Sequence, residues 1–491
     1  MSRKMSSRAL FAGAVLLVVF GARLLVIAHC GAAHPFQDEW VAVGERVLKP
    51  LAEGAAGPAT FLSPQNEHRL LLTHLSSAAM LVANGWEWDL RIGMVLNAAA
   101  QAVIALLLFC AADSLVARRL ARPALAFATA VFLSLPYAWT NMVVAFSPYS
   151  FHVLCSLLAI HQLCAGGSSR SLALGVLFSL LSILTVGSGI LIPLAVISAL
   201  FLQMLRTRAV PTRQLIVCTA LAAFAWAALI HVPEHDQLRP DSLAELGAAL
   251  AYALAWPRGG LPLLTIGLVS FASYCVLYLR GHLPESAGQR ALVAFSAWAL
   301  LHAAALAYSR GEGSYIGEPR YTDFFALWRL ASGMCLGCAL LGTRNRVARA
   351  ALAVMAAGWL AYVGPGLYTE THRSLQQMSN KARVDVAHRQ TLRVFLASGN
   401  AAVLQPPAPI PYYRADELAR LLSDETFRSL LPHTLVKRPP GTLSVVVDAL
   451  LRLRLLWLVS GAAVALAACG LLLRERQATS EPASRAHGGV A

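Results

Sequence analysis

ALFAGAVLLVVFGARLLVIA at residues 9–28, followed by HCGAAHPFQDEW at 29–40, decides the class of this chain. A helix needs roughly 20 mostly apolar residues to cross a hydrocarbon core of about 30 Å. The first run meets that requirement and ends in a polar, acidic segment. Its basic start, with Arg3, Lys4 and Arg8, is shared with secretory signals. No small-residue cleavage site precedes the acidic segment, so the run reads as a retained anchor.

Eleven further runs of this kind follow, at 92–116, 124–142, 145–165, 171–186, 189–205, 214–231, 261–279, 291–308, 324–343, 347–364 and 450–473. Between the fifth and sixth of all the runs, Gly187 and Gly189 mark either a tight outer turn or a kink in one long helix. The 491 residues are 57% hydrophobic and 13% charged, with mean hydropathy +0.60, which excludes an ordinary soluble or a disordered chain. The expected fold class is an all-α polytopic membrane protein with about twelve transmembrane helices.

The net charge of +15 would suggest a nucleic-acid partner in a soluble chain, but in a membrane protein basic residues report orientation. One set of alternate loops and both ends carry 18 Lys and Arg against Glu285, Glu475 and Glu481, and this is the expected cytoplasmic side. The other side carries 18 Lys and Arg with 20 of the 25 acids. The whole excess is thus positional, and no nucleic acid is called for. Both termini are expected in the cytoplasm.

Four outer segments are long enough to act, at 29–91, 232–260, 309–323 and 365–449. The expected organisation is a transmembrane module over 1–364 with its first outer loop at 29–91. An outer segment or small domain follows at 365–449, then a last span at 450–473 and a disordered cytoplasmic tail at 474–491. The 365–449 segment is too poor in apolar residues for a large core of its own and should pack partly on the membrane portion. The nine cysteines fall mostly inside spans and give no disulfide framework. Cys335-x-x-Cys338 has metal-like spacing but sits mid-span without further Cys or His nearby, so packing is its expected role.

Three clusters are candidates for chemistry. After the first span, His34-Pro35-Phe36-Gln37-Asp38-Glu39-Trp40 leads into an amphipathic pattern with Trp40, Val43, Val47, Leu48 and Leu51 on one face. That pattern suits a helix on the membrane surface with Trp40 at headgroup level. The ordinary reading is that Asp38 caps the helix and Glu39 complements its dipole, worth about 1 kcal/mol or less each. The second cluster, Asn66-Glu67-His68-Arg69, follows Ser63-Pro64 and is expected to open a helix running to Asn84, with Glu67, Leu71 and His74 on one face. The third runs from Ser309 to Tyr321 and holds Arg310, Glu318, Arg320 and Tyr321 among glycines that let backbone approach a ligand closely. Arg320 at the bilayer edge suits a phosphate through its planar guanidinium, or else snorkels or pairs with Glu318. Arg329, about 13 Å deeper along a regular helix, should face protein or a water-filled cavity.

This pattern resembles the GT-C class of integral-membrane glycosyltransferases, which includes protein O-mannosyltransferases and aminoarabinose transferases. The resemblance rests on Asp38-Glu39 after the first span, the amphipathic pattern behind it, Asp89-Leu90-Arg91, Pro319-Arg320-Tyr321 and the late outer segment. The pairing of Gln-Asp-Glu-Trp with Asn-Glu-His-Arg is similar to a poorly characterised bacterial subgroup. The resemblance implies a sugar donor on a polyprenyl phosphate, an acceptor that is lipid-linked, a glycan or a protein, and inverting transfer beside membrane lipids. It implies Asp38 as general base with Glu39 or Glu67 in support, Arg320 at the departing phosphate, Arg310 as a second contact, and His68, Arg69, Glu318 and Tyr321 as site members. No cofactor is required by it. A divalent metal is compatible with it, with Asp38, Glu39 and Glu67 as oxygen donors.

Two other enzyme or transport classes use similar chains. A transporter or flippase of lipid-linked glycans should place polar groups at the membrane midplane, whereas here they cluster outside. A polymerase or ligase of lipid-linked glycan would use arginines of a large late outer loop, and 365–449 carries ten Lys and Arg. A purely structural or partner-binding membrane protein is the remaining alternative.

Overall fold

The computed structural model describes residues 6–116, 118–313 and 315–480. Arg3, Lys4, Ser314, Glu481 and Arg485, together with the tail beyond residue 480, lie outside the described residues. Within them the chain is all-helical. Nine helices are long and apolar enough to cross a membrane, and three further expected spans are the shorter apolar helices Tyr149–Ala165, Ser169–Ile183 and Thr212–Ala227. The pair around Gly187 is two helices, because a short tight-wound turn at Gly187–Ile190 separates Ser169–Ile183 from Leu191–Thr207.

The first and last long helices, Ser7–Cys30 and Arg454–Ser480, pack backbone to backbone. A Cβ on Gly21 would lie 2.8 Å from Leu458 N, and one on Gly461 would lie 3.0 Å from Val18 N. Small residues at such a crossing give close van der Waals contact where lipid supplies no hydrophobic drive. Polar groups sort to the two ends of the bundle. At one end Ser7 Oγ donates to Glu475, and Asp113 takes Arg8 and Arg122 at 3.1 and 2.8 Å. Residues 31–39, 63–70, 84–89 and 232–242 connect helices in segments expected on the side opposite these groups.

Three expectations need correction. The span at 124–142 is a helix only to Ser134; Pro136 starts a short turn, and Thr140–Val143 and a loop follow before Tyr149. The helix expected from Asn66 begins only at Leu71, because Asn66 and Leu70 both take left-handed backbone. Residues 65–68 instead form a turn closed in both directions by Gln65 N–His68 O and His68 N–Gln65 O bonds. Trp40 is not at headgroup level. It is fully buried in the wide-turned helix Trp40–Leu48 and stacks on Phe427 with ring centroids 6.0 Å apart.

The position 364/365 lies inside one continuous helix, Arg346–Ser398, which runs through Pro365. At 53 residues it is about 80 Å long, far more than the bilayer requires. Its polar half carries a buried stripe of Ser374, Met378, Lys381, Asp385, His388, Leu392 and Phe395 at three- and four-residue spacing. The following segment packs on the first outer loop. Glu87, fully buried, accepts from His433 N, His433 Nδ1 and Ser444 Oγ, while Arg91 joins Asp89 and Asp448. Lys49 pairs with Asp424, and Arg420 with Glu45. Toward the terminus, residues 474–480 extend the last helix rather than an irregular tail.

Candidate active site

The Asp38 segment is held from both sides by its own backbone and neighbours. Gln37 takes left-handed backbone and donates its N–H to Pro411 O at 2.7 Å. Glu39, fully buried, accepts the N–H of Phe36 at 2.9 Å and of Phe146 at 3.2 Å, which clamps the loop to the 144–147 strip. Burial pushes the Glu39 carboxyl up to about 7, against the pull of these N–H groups and of Lys381. Both of its oxygens accept backbone N–H groups, so Glu39 holds the loop.

Asp38 is the opposite case. Its carboxylate is half-buried and makes no hydrogen bond or ion pair among the described residues. Capping, the ordinary reading of this residue, is therefore not seen. Burial raises its pKa, while the charges of Arg320 and Arg46 lower it. Arg320 is exposed, lies over the Tyr321 ring at 5.1 Å, and its guanidinium has no hydrogen-bond partner among the described residues. Its backbone is fixed: Asn141 Nδ2 donates to Arg320 O and to buried Asp323 Oδ2, each at 3.0 Å, and Ser147 Oγ donates to Asn141 Oδ1 at 2.9 Å. Arg320 does not pair with Glu318, which is exposed and starts the helix Pro319–Gly342.

Glu67 sits on the closed turn described above and is committed. Arg310 Nη2 lies 2.5 Å and His235 Nδ1 lies 2.6 Å from Glu67 Oε1. Burial alone would raise the Glu67 carboxyl, but these two donors outweigh it and hold it down at about 2. Arg310 also donates to Ser309 O. Glu67 and Arg310, with His235, therefore tie three outer loops together. His68 Nδ1 accepts from Gly187 N at 3.3 Å, and burial lowers its pKa. Arg69 is half-buried, with no hydrogen bond among the described residues. Arg46 links the halves, since it donates to Pro64 O and Gln65 Oε1 and acts electrostatically on Asp38.

The charges of Arg320 and Arg46 thus both act on Asp38, and Arg46 also reaches the turn that carries Glu67. His235 and Asn141 were not legible as members: each acts through a contact far away in sequence. Asp38, Glu39 and Glu67, the oxygen donors compatible with a divalent metal, do not lie within 4.8 Å of one another as a set. Among the described residues, the groupings with metal-ligand geometry are His34–Asp385–His388 and Glu87–Asp89–His433, and neither contains Asp38, Glu39 or Glu67. Cys335 and Cys338 are buried and packed, as spacing without further ligands implied. In 365–449, Arg393, Arg428 and Arg438 donate to backbone carbonyls, and Arg414 and Arg420 pair with glutamates.

No protein-family model matches this chain, and no curated protein matches it. Among solved structures it is similar to the crystal structure of the Archaeoglobus fulgidus oligosaccharyltransferase complex with zinc and sulfate, at TM-score 0.43 and 13% identity. The likeness covers 88% of this chain and 58% of that one, so the chain spans less than two thirds of that enzyme's length. A likeness of that size leaves the family and the activity to be argued from the chain's own residues, which are helical where described, include nine helices long and apolar enough to cross a membrane, and place the charge of Arg320 close enough to act on Asp38.

Proposed function

We propose that this protein is a GT-C-like membrane glycosyltransferase that moves a sugar from a polyprenyl-phosphate donor to an acceptor on the outer face of a bacterial inner membrane, with both termini cytoplasmic. The observation that carries the reading is the half-buried Asp38 carboxylate, within electrostatic reach of the Arg320 guanidinium, both without a hydrogen-bond or ion-pair partner among the described residues. In the proposed step Asp38 takes the proton of the acceptor hydroxyl or amine as that group attacks the anomeric carbon. The bond from the anomeric carbon to phosphate oxygen breaks on the opposite face. The anomeric centre inverts, and the polyprenyl phosphate leaves with its developing charge on Arg320. Burial suits Asp38 to this task, because raising its pKa makes it a better proton acceptor than an exposed aspartate.

The same geometry divides the other residues by task. Glu39, Glu67 and Arg310 position the loops, whereas Tyr321, Arg69, His68 and Glu318 are assigned to substrate binding from their places in the second and third outer clusters. The commitment of Arg393, Arg428 and Arg438 to carbonyls and of Arg414 and Arg420 to glutamates weighs against the polymerase or ligase reading. The test is transfer by the purified, lipid-reconstituted protein from a panel of polyprenyl-phosphate sugars. Release of polyprenyl phosphate should require Asp38, and undiminished release by Asp38→Asn would remove the proposed base.

A further inference from the structure

The buried stripe on the helix Arg346–Ser398 contains a feature that core packing does not explain. Lys381, Asp385 and His388 lie on its covered face, where apolar residues are the norm. They meet His34, four residues before Asp38. His34, Asp385 and His388 are 3%, 7% and 5% exposed. Three of their buried polar atoms, His34 Nε2, Asp385 Oδ1 and His388 Nδ1, have no hydrogen-bond partner among the described residues. An orphaned buried polar group costs about 1–3 kcal/mol, so three converging orphans call for a shared partner.

We infer that His34, Asp385 and His388 form a zinc site. Their candidate donor atoms all lie within 4.8 Å of one another, and His388 Nδ1 is 3.8 Å from Asp385 Oδ1. Tetrahedral zinc with bonds of about 2.0–2.2 Å sets its ligands roughly 3.3 Å apart, so the cluster closes by about 1 Å or a little more around an ion. Two imidazoles and one carboxylate form a three-ligand set that zinc uses when its fourth position is left open. The shell around the set is in place. Lys381 Nζ binds Asp385 Oδ2 at 2.5 Å, which turns Oδ1 inward, and Phe36 stacks on the His388 ring at 6.3 Å.

The open position has somewhere to face. His34 and Asp385 line a cavity of about 220 Å³ whose wall also holds His29, Arg91 and Arg389. Neither Asp38 nor Arg320 lines it. The basic wall and Lys381 favour an anionic or hydroxide oxygen as fourth ligand, since a divalent ion among cations needs that compensation. The other His-carboxylate cluster shows the contrast. Glu87 accepts from His433 and Ser444 and Asp89 accepts from Arg91, so their donors are spent within the protein. The zinc site joins the first outer loop to the long helix and does not depend on the activity proposed above.

The test uses full-length protein purified by a tag without histidine, chelator-treated and reconstituted in nanodiscs. Titration with zinc chloride alone against a chromophoric competitor should show one tight equivalent, and zinc should raise the unfolding temperature. His388→Ala and Asp385→Asn should each weaken that equivalent by at least about 100-fold, because loss of a ligand exceeds the 10- to 100-fold typical of outer-shell changes. His372→Ala, on the exposed face of the same helix, should leave it intact. If a variant fails to fold, elemental analysis of the untreated wild type decides. Absence of a tight equivalent in the wild type, or its retention in folded His388→Ala, would overturn the inference.

Discussion

Removing the Glu67 carboxylate should cost stability in a pH-dependent way. Glu67 is held at about 2 in the fold against an ordinary value of 4.5, and such a difference corresponds to about 3 kcal/mol. Its side chain is 24% exposed, so solvent screening reduces the expected contribution to about 1–2 kcal/mol. Because the folded value is depressed, the stabilisation is fully present above about 4.5 and is lost as pH falls toward about 2. Glu67→Gln keeps the size of the side chain and removes its charge from Arg310 and His235. In denaturant unfolding of detergent-solubilised protein, wild type should exceed the variant by about 1–2 kcal/mol at pH 7, and the gap should shrink through the acid range. A double-mutant cycle with Arg310→Gln should return most of that energy as coupling. A gap that is absent at pH 7, or equally large at pH 7 and at pH 3, would refute the loop-knot reasoning.

Two further substitutions separate binding from folding. Arg320→Ala should raise KM for a polyprenyl-phosphate donor by about tenfold or more, the loss of one charge-assisted contact, while leaving the unfolding temperature unchanged, since the side chain is exposed and makes no hydrogen bond. Unaltered donor KM would count against the phosphate contact. Arg329 is fully buried, donates Nη1 to Leu263 O at 2.9 Å, and leaves Nε and Nη2 without partners. Arg329→Met should hold or raise the unfolding temperature, because an apolar chain of similar length removes unmatched buried donors; a marked fall would show that the guanidinium is satisfied and structural.

Much of the bundle was legible because a bilayer imposes length and polarity on every span. The runs at 92–116, 261–279 and 291–308 coincide with helices to within a few residues, since apolar length alone defines them. Less legible were breaks and extensions. Pro136 ends one helix while Pro365 sits inside another, because the second lies in a helix whose polar half is held by a packed stripe. Trp40 reads as an interfacial residue until Phe427, distant in sequence, is seen to cover it. The Glu67 turn was misread as helix because left-handed backbone at a leucine has no sequence signature. The Asp38 loop was found from its position after the first span, whereas the His34 partnership needed the long helix. Its one local sign was Asp385 and His388 three residues apart on a face that also carried Met378 and Leu392.

The central claim is that Asp38 takes a proton in the transfer step while other residues hold the loops. Single-turnover transfer by lipid-reconstituted Asp38→Asn, measured beside its affinity for polyprenyl phosphate, tests this most directly. The account predicts a rate lower by about 100- to 10,000-fold, the usual contribution of a general base, with lipid binding and unfolding temperature close to wild type. A near-normal rate, or a loss of rate fully explained by lost lipid binding or folding, would contradict it.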